Sequence, residues 1–313
     1  NAPRQTLYTF DAQNRQQTVT DPEGDVTQYI YDLAGRLVRT DLPNDMFETR
    51  VYDELHRLQL IESRHAVTDE VLTSNEYEVD DVGNRTSVLE HDRRRVEYDY
   101  DELYRLIGET IYDPGAADPS RTIDYSYDIV GNRQTRDDST DGVTAYTYDA
   151  NDRLLTETTG GEVTSYSYDD NGNTIAKQSA TDTVFYRWDP ENRLVAADTD
   201  GDGTDDVTYE YDYQGMRVTK TANGEDTRFL LDKNRPYDQV LEEYTAGGVL
   251  KVSYVHGRDL ISQNRHGDTG KSFYHVDGLG STRALSDALG IVTDRYIYDA
   301  YGQTIGQVGV TGN

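Results

Sequence analysis

Tyr146-Thr147-Tyr148-Asp149-Ala150-Asn151-Asp152-Arg153-Leu154 carries the pattern on which the fold turns: two aromatics flanking one residue, an Asp, a short polar gap, then Arg-Leu. The same pattern stands 21 residues earlier, at Tyr125-Ser126-Tyr127-Asp128 with Gly131, Asn132 and Arg133. It recurs at Tyr29-Ile30-Tyr31-Asp32, Tyr98-Asp99-Tyr100-Asp101, Tyr166-Ser167-Tyr168-Asp169, Tyr186-Arg187-Trp188-Asp189, Tyr209-Glu210-Tyr211-Asp212 and Tyr296-Ile297-Tyr298-Asp299. Weaker copies are Tyr8-Thr9-Phe10-Asp11, Tyr52-Asp53, Tyr77-Glu78-Val79-Asp80 and Phe229-Leu230-Leu231-Asp232. Successive Asp residues lie mostly 20 to 23 apart, with gaps of 27 at Asp53–Asp80 and Asp101–Asp128. A longer gap separates Asp232 from Asp299.

Each position has a physical reason. Residues i and i+2 of a strand share a face, so both aromatics of a unit point the same way. The Asp closes the strand by accepting backbone N–H groups in an Asx-type turn. Gly or Asn then supplies a positive φ at low cost. Arg-Leu opens the returning strand, with Leu facing the aromatics and Arg free to pair with the Asp or stack on a ring. One unit is therefore a β-hairpin. Side by side, the units form one continuous antiparallel sheet. The expected class is all-β, a tandem hairpin array over residues 1–232 with the final repeats over 233–313 in the same sheet. Helix signals are poor, apart from one short turn expected at Ser281 to Ala288 with Ser281 as cap. Leucine-rich repeats and propeller blades fit the string and the period less well.

Composition supports a thin wall. The chain has 313 residues with 35% hydrophobic content, and 26 of its residues are Tyr, far too many for a disordered chain. Lys plus Arg is 30 against 59 Asp plus Glu, a formal charge of −29. That argues against nucleic acid as a partner and equally disfavours an anionic membrane surface, since both need basic residues. There are no cysteines, so disulfides and thiolate zinc sites are excluded. No apolar run is long enough to span a membrane. The opening Asn1-Ala2-Pro3-Arg4 is not a signal peptide. The expectation is a piece of a longer chain.

The run Tyr-Asp-x-x-Gly-Asn-Arg-Leu resembles the YD repeat of Rhs proteins, cell-wall-associated bacterial toxins, insecticidal toxin-complex proteins and teneurins. Tyr274-His275-Val276-Asp277-Gly278-Leu279-Gly280-Ser281-Thr282-Arg283-Ala284-Leu285, with Tyr296-Ile297-Tyr298-Asp299-Ala300-Tyr301-Gly302, is similar to the start of the Rhs-associated core. Val240 to Gln263, with Ser253-Tyr254-Val255-His256-Gly257, is similar to the segment before it. The resemblance implies a spiralling sheet that closes into a hollow shell, secreted or at the cell surface, holding a C-terminal toxin domain. It implies a scaffold and not an enzyme. The family's self-cleavage motif follows the core, and no cleavage residue is carried over to this chain.

A second motif is Asp198-Thr199-Asp200-Gly201-Asp202-Gly203-Thr204-Asp205-Asp206. Counted as a calcium loop, it places ligands at Asp198, Asp200, Asp202, the Thr204 carbonyl and Asp206, with Gly203 at the sixth position. The twelfth position is Tyr209 where a Glu is expected, so Asp205 or Glu210 would have to substitute. Four like charges this close favour a hard cation among them, and Ca²⁺ suits an all-oxygen set. The alternative is a solvated acidic hairpin loop. Asp137, Asp138 and Asp141 form a looser acidic loop of the same kind.

The remaining constellations are structural by default. His56, His65, His91, His256, His266 and His275 form no metal-binding pair, although His275 and Asp277 share a strand face. Ser281 lies outside any nucleophile elbow. With so many acids, carboxylate pairing carries no glycosidase signal. Tyrosine faces could stack on sugars, so the rival expectation is an extracellular adhesion module that binds glycan or protein. Open sheet edges could also join copies into a homo-oligomer or filament.

Overall fold

The computed structural model describes residues 4–268, 270–309 and 311; the reading of Asn1-Ala2-Pro3 lies outside the described residues. Among the described residues there are 28 strands and no helix, and all the strands belong to one sheet. Pairing runs antiparallel between sequence neighbours, as in Gly142–Tyr148 with Leu154–Thr159. There Thr147 opposes Thr156 and Tyr148 opposes Leu154, so Leu155 is an extra residue in a β-bulge. The same shift sits before the Asp of hairpin after hairpin, including Ile30/Tyr31, Ser126/Tyr127, Ser167/Tyr168 and Arg187/Trp188.

The turn itself is uniform. The Asp149 N–H donates to the Arg153 carbonyl (2.9 Å) and the Asp152 N–H to the Asp149 carbonyl (3.1 Å). The third residue after the Asp has positive φ in turn after turn, although not at Arg235 after Asp232. It is Gly at 35, 131, 172 and 215, but Asn14, His56, Tyr104, Asp152 and Asn192 hold φ between 59° and 66° at the same place. Side chains that resist this conformation are tolerated there, so the Asp carboxylate fixes the turn and glycine only eases it.

The helical turn expected at Ser281 to Ala288 is absent. Thr282–Ser286 is a strand paired with Gly270–Val276 on one side and Val292–Tyr298 on the other. The Ser281 N–H donates to Asp277 Oδ1 (3.0 Å), which makes Ser281 the end of a turn and not a helix cap. Ala284 and Leu285 are both fully buried on opposite faces, which a strand in a two-sided core explains. Asp287 then opens another Asp turn, with Ile291 N–H on its Oδ1 (2.9 Å).

The chain divides into two compact units. One holds residues 1–97, 112–118 and 251–313. Here early and late hairpins meet: Val19, Tyr29 and Leu37 share a core with Val255, Ile261 and Phe273. Polar bonds stitch the same seam. Tyr77 Oη accepts the Gly278 N–H (2.8 Å), Asn44 Nδ2 donates to Ser286 Oγ (3.0 Å) and the Asp287 carbonyl (2.9 Å), and Arg295 Nη1 donates to the Leu72 carbonyl (2.9 Å). The other unit, residues 98–111 and 119–250, has a thinner core built from Ile123, Tyr125, Ala176 and Ala196. Its leading tyrosines, Tyr146, Tyr166, Tyr186 and Tyr209, are only half-buried.

Gly278 is where the seam allows no side chain. A Cβ there would sit 2.8 Å from Leu58 Cδ2 and 3.0 Å from the Tyr77 ring. Gly278→Ala should therefore lower stability by about 1–3 kcal/mol, read as a fall in the thermal midpoint. Gly247→Ala, whose Cβ would meet only Thr245 Oγ1 at 3.8 Å, should leave the midpoint close to wild type.

Candidate metal centre

Most aspartates of this chain already have partners. Asp149 Oδ1 accepts the N–H groups of Asn151 (2.8 Å) and Arg153 (3.0 Å), and Oδ2 accepts Arg153 Nε (2.7 Å). The Arg153 guanidinium lies 4.9 Å from the centre of the Tyr168 ring in the next hairpin. The Tyr168 hydroxyl returns to the Leu154 carbonyl (2.7 Å). Asp11–Arg15–Tyr31, Asp32–Arg36–Tyr52, Asp101–Arg105–Tyr127 and Asp189–Arg193–Tyr211 repeat the arrangement. Asn takes the Arg place at 84, 132 and 173, donating to the same Asp oxygen. The Arg153 amide, together with its guanidinium, holds the Asp149 carboxyl below its ordinary pKa. These carboxylates are used up in building the wall.

The loop at 198–206 differs, because part of its acidity has no cationic partner. It joins the strands Leu194–Asp198 and Val207–Tyr211. Asp198 is buried at the end of its strand, and its two oxygens accept the N–H groups of Gly201 (2.7 Å) and Gly203 (2.9 Å). Both glycines have positive φ, 74° and 90°, which lets the loop fold back over the carboxylate. Asp206 Oδ2 accepts the Thr199 N–H and hydroxyl, both 2.6 Å, and those bonds, the hydroxyl's first, lower its pKa. The structure brings Asp198, Asp200 and Asp206 together, with one oxygen of each within 4.8 Å of the others.

The other sequence candidates stand apart from this trio. Asp202 faces its own turn and accepts the Thr204 N–H (2.8 Å). Asp205 is ion-paired with Arg187, and Glu210 lies along the next strand opposite Thr219. The trio fits a hard cation. Ligands 2.3–2.6 Å from a calcium ion lie no more than about 5 Å apart, and neither His nor Cys stands among them. The looser acidic loop is a protein ion-pair cluster instead. Asp138 is fully buried between Arg121 and Arg136 (each 2.6 Å), and Asp141 also pairs with Arg121.

Known families match most of the chain. The family described as Teneurin YD-shell matches residues 49–309, and the one described as RHS Repeat matches residues 4–45. The chain belongs to the YD-shell family. The tRNA3(Ser)-specific nuclease WapA of Bacillus spizizenii is 33% identical over 205 residues, 65% of this chain and 8% of that protein. The tRNA nuclease WapA of Bacillus subtilis strain 168 is 33% identical over 203 residues, with the same coverage. The YD-shell chain thus spans less than a tenth of the length of these relatives. Among solved structures, TcdB2-TccC3-Cdc42 superposes with a TM-score of 0.68 at 20% identity over 98% of this chain and 18% of that one. The Photorhabdus luminescens Tc holotoxin pore superposes with a TM-score of 0.68 at 21% identity over 97% of this chain and 18% of that one. Those two likenesses establish the fold.

The YD-shell seam also buries two titratable groups, Glu48, which lies in no motif, and His275, which lies in the Tyr274–Leu285 motif. Glu48 and His275 line one small cavity of about 50 Å³ with Tyr29, Arg50, Asp259 and Tyr274. Glu48 pairs with Arg50 (2.7 Å), yet burial pushes its carboxyl up to about 7, with Asp259 adding to the shift. Burial, then the charge of Arg295, pushes His275 down to about 4. His275 Nε2 bonds Ser286 Oγ (2.8 Å), while Asp277 binds Arg283 (2.8 Å), so the strand-face neighbours His275 and Asp277 do not pair.

These two groups oppose each other in pH. The Glu48 penalty is absent below its unfolded value of 4.5 and grows as pH rises toward 7. The His275 penalty is absent above its unfolded value of 6.5 and grows as pH falls toward 4. Each is on the order of 3 kcal/mol in full, so between about pH 4.5 and 6.5 their two contributions should nearly cancel. In urea titrations Glu48→Gln should unmask a rise with pH across that window. An unchanged profile in Glu48→Gln would count against a buried, shifted Glu48.

Proposed function

We propose that this chain is a non-catalytic wall segment of an exported YD-shell protein that encloses or presents a C-terminal toxin domain carried by its parent chain. The observation that supports it is how the polar residues are used. The repeat aspartates, arginines and tyrosines bind one another from hairpin to hairpin, as in Asp149–Arg153–Tyr168. That arrangement builds a surface and offers no reactive centre. In this reading the nuclease activity in the names of the WapA relatives resides in the parts of those proteins outside the matched 8%. Partner segments of the parent chain complete the shell, and nucleic acid is not bound by a wall of charge −29.

Calcium is the structural ion in this reading, held by Asp198, Asp200 and Asp206 with Asp202 and the Thr204 carbonyl able to swing in. Extracellular calcium modules bind with dissociation constants of about 10⁻⁴–10⁻³ M, and such a loop fills only where calcium is millimolar. This favours a secreted or cell-surface location. A second reading, a glycan-binding face, is favoured by the half-buried row Tyr146, Tyr166, Tyr186 and Tyr209.

Electron microscopy of the purified chain in calcium tests the main reading. Hollow particles are expected; solid filaments, or specific binding on a glycan array, would transfer the assignment to an adhesion module. The calcium role has its own test. Five millimolar calcium should stabilise the chain by about 1–2 kcal/mol over chelator, a rise of a few degrees in midpoint. Asp198→Asn should abolish that difference. Equal midpoints in calcium and chelator for the wild type would remove calcium from the proposal.

A further inference from the structure

A cleft of about 380 Å³ opens between two turns of the first unit, residues 66–70 and 287–291. That volume is in the range of small-ligand sites, about 300–1,000 Å³, and well above the 50 Å³ cavity around Glu48. Leu72, 4% exposed, is its packed floor. Leu289 and Ile291, 71% and 60% exposed, line it, and Val67 (76%) lies in the facing turn, next to the lining residue Thr68.

The cleft is held open by fixed parts. Asn44 Nδ2 donates to the Asp287 carbonyl (2.9 Å) and anchors one lip. Gly290 packs so closely that a Cβ would come within 2.9 Å of His65 Cδ2 and 3.1 Å of the Asn44 carbonyl. His65 Nδ1 accepts the Val67 N–H (3.2 Å) and shapes the other lip. Arg295, the cation in the lining, is bound to the Leu72 carbonyl (2.9 Å). Glu70 is exposed in the lining, on a chain of charge −29. Apolar side chains left at the rim of a preformed cleft mark an interaction site. The surrounding field attracts cations.

We propose that this cleft receives a large apolar side chain carried on a cationic peptide segment. The apolar group sits over Leu72 between Leu289 and Ile291, and the flanking basic residues meet Glu70 and the general negative field. The site is independent of the wall and calcium readings above.

The test is calorimetric titration of the full chain with a hexapeptide in which four lysines flank Leu-Trp. Saturable binding is expected, weakened about tenfold or more, a change of about 1.4 kcal/mol or above, by Ile291→Arg and by Glu70→Lys. Both residues are exposed, and circular dichroism would verify that each variant stays folded. A matched peptide with Ser-Ser in place of Leu-Trp should bind at least tenfold more weakly. Equal binding of the Ser-Ser peptide would reduce the effect to non-specific charge and overturn the proposal. So would equal binding of a glutamate-flanked peptide, an unaffected Ile291→Arg chain, or no binding at millimolar peptide.

Discussion

Each hairpin is tied to the next by a relay of carboxylate, guanidinium and phenol. Asp149 shapes its turn with one oxygen and holds Arg153 with the other; Arg153 lies over Tyr168, and Tyr168 bonds back to Leu154. An ion pair or a cation–π contact at a protein surface is a modest link by itself. Here the parts are coupled, because the same carboxylate also satisfies backbone amides. Repeated along the sheet, these modest links add cohesion to a wall with few aliphatic side chains. Stability then accumulates by neighbouring units, as in other repeat proteins.

The relay was largely legible in the sequence, because all its members lie within one period. Asp149, Arg153 and Tyr168 are separated by less than twenty residues, and strand periodicity places them. The expected thin all-β wall and antiparallel hairpins are what the structure has. What the pattern under-read was the turn. Gly and Asn seemed to set the geometry, yet Tyr104 and His56 occupy the same positive-φ position. No aromatic pair precedes Asp287, so the motif does not mark its turn, and without that turn the stretch Ser281 to Ala288 reads as helical.

The seam was invisible for a different reason. Tyr77 meets Gly278, and Asn44 meets Ser286, across more than two hundred residues. Nothing in a repeating pattern distinguishes a tyrosine that will be covered from one that will stay half-exposed. Tyr29 and Tyr77 are 5% exposed, whereas Tyr146 and Tyr166 occupy the same motif position half-buried. The acidic loop is an intermediate case. Spacing identified it as unusual, and three of its carboxylates do converge. The side-chain directions of Asp202 and Asp205 depend on the Thr204 amide and on Arg187, which spacing cannot supply.

The two kinds of contact also imply an order of events in time. A hairpin such as Gly142–Tyr148 with Leu154–Thr159 closes a turn of only a few residues, and hairpins of this size form in roughly microseconds. Strand can follow strand along the chain, each new hairpin pairing with the last. Bringing the Arg258 amide to Tyr29 is another matter, since 229 residues separate them. Closing so long a loop carries the entropic cost of distant ends, and it must wait until the late strands exist. Local pairing thus precedes long-range closure, and a strip that lacked the strands after residue 251 would leave the faces of Tyr29 and Tyr77 uncovered.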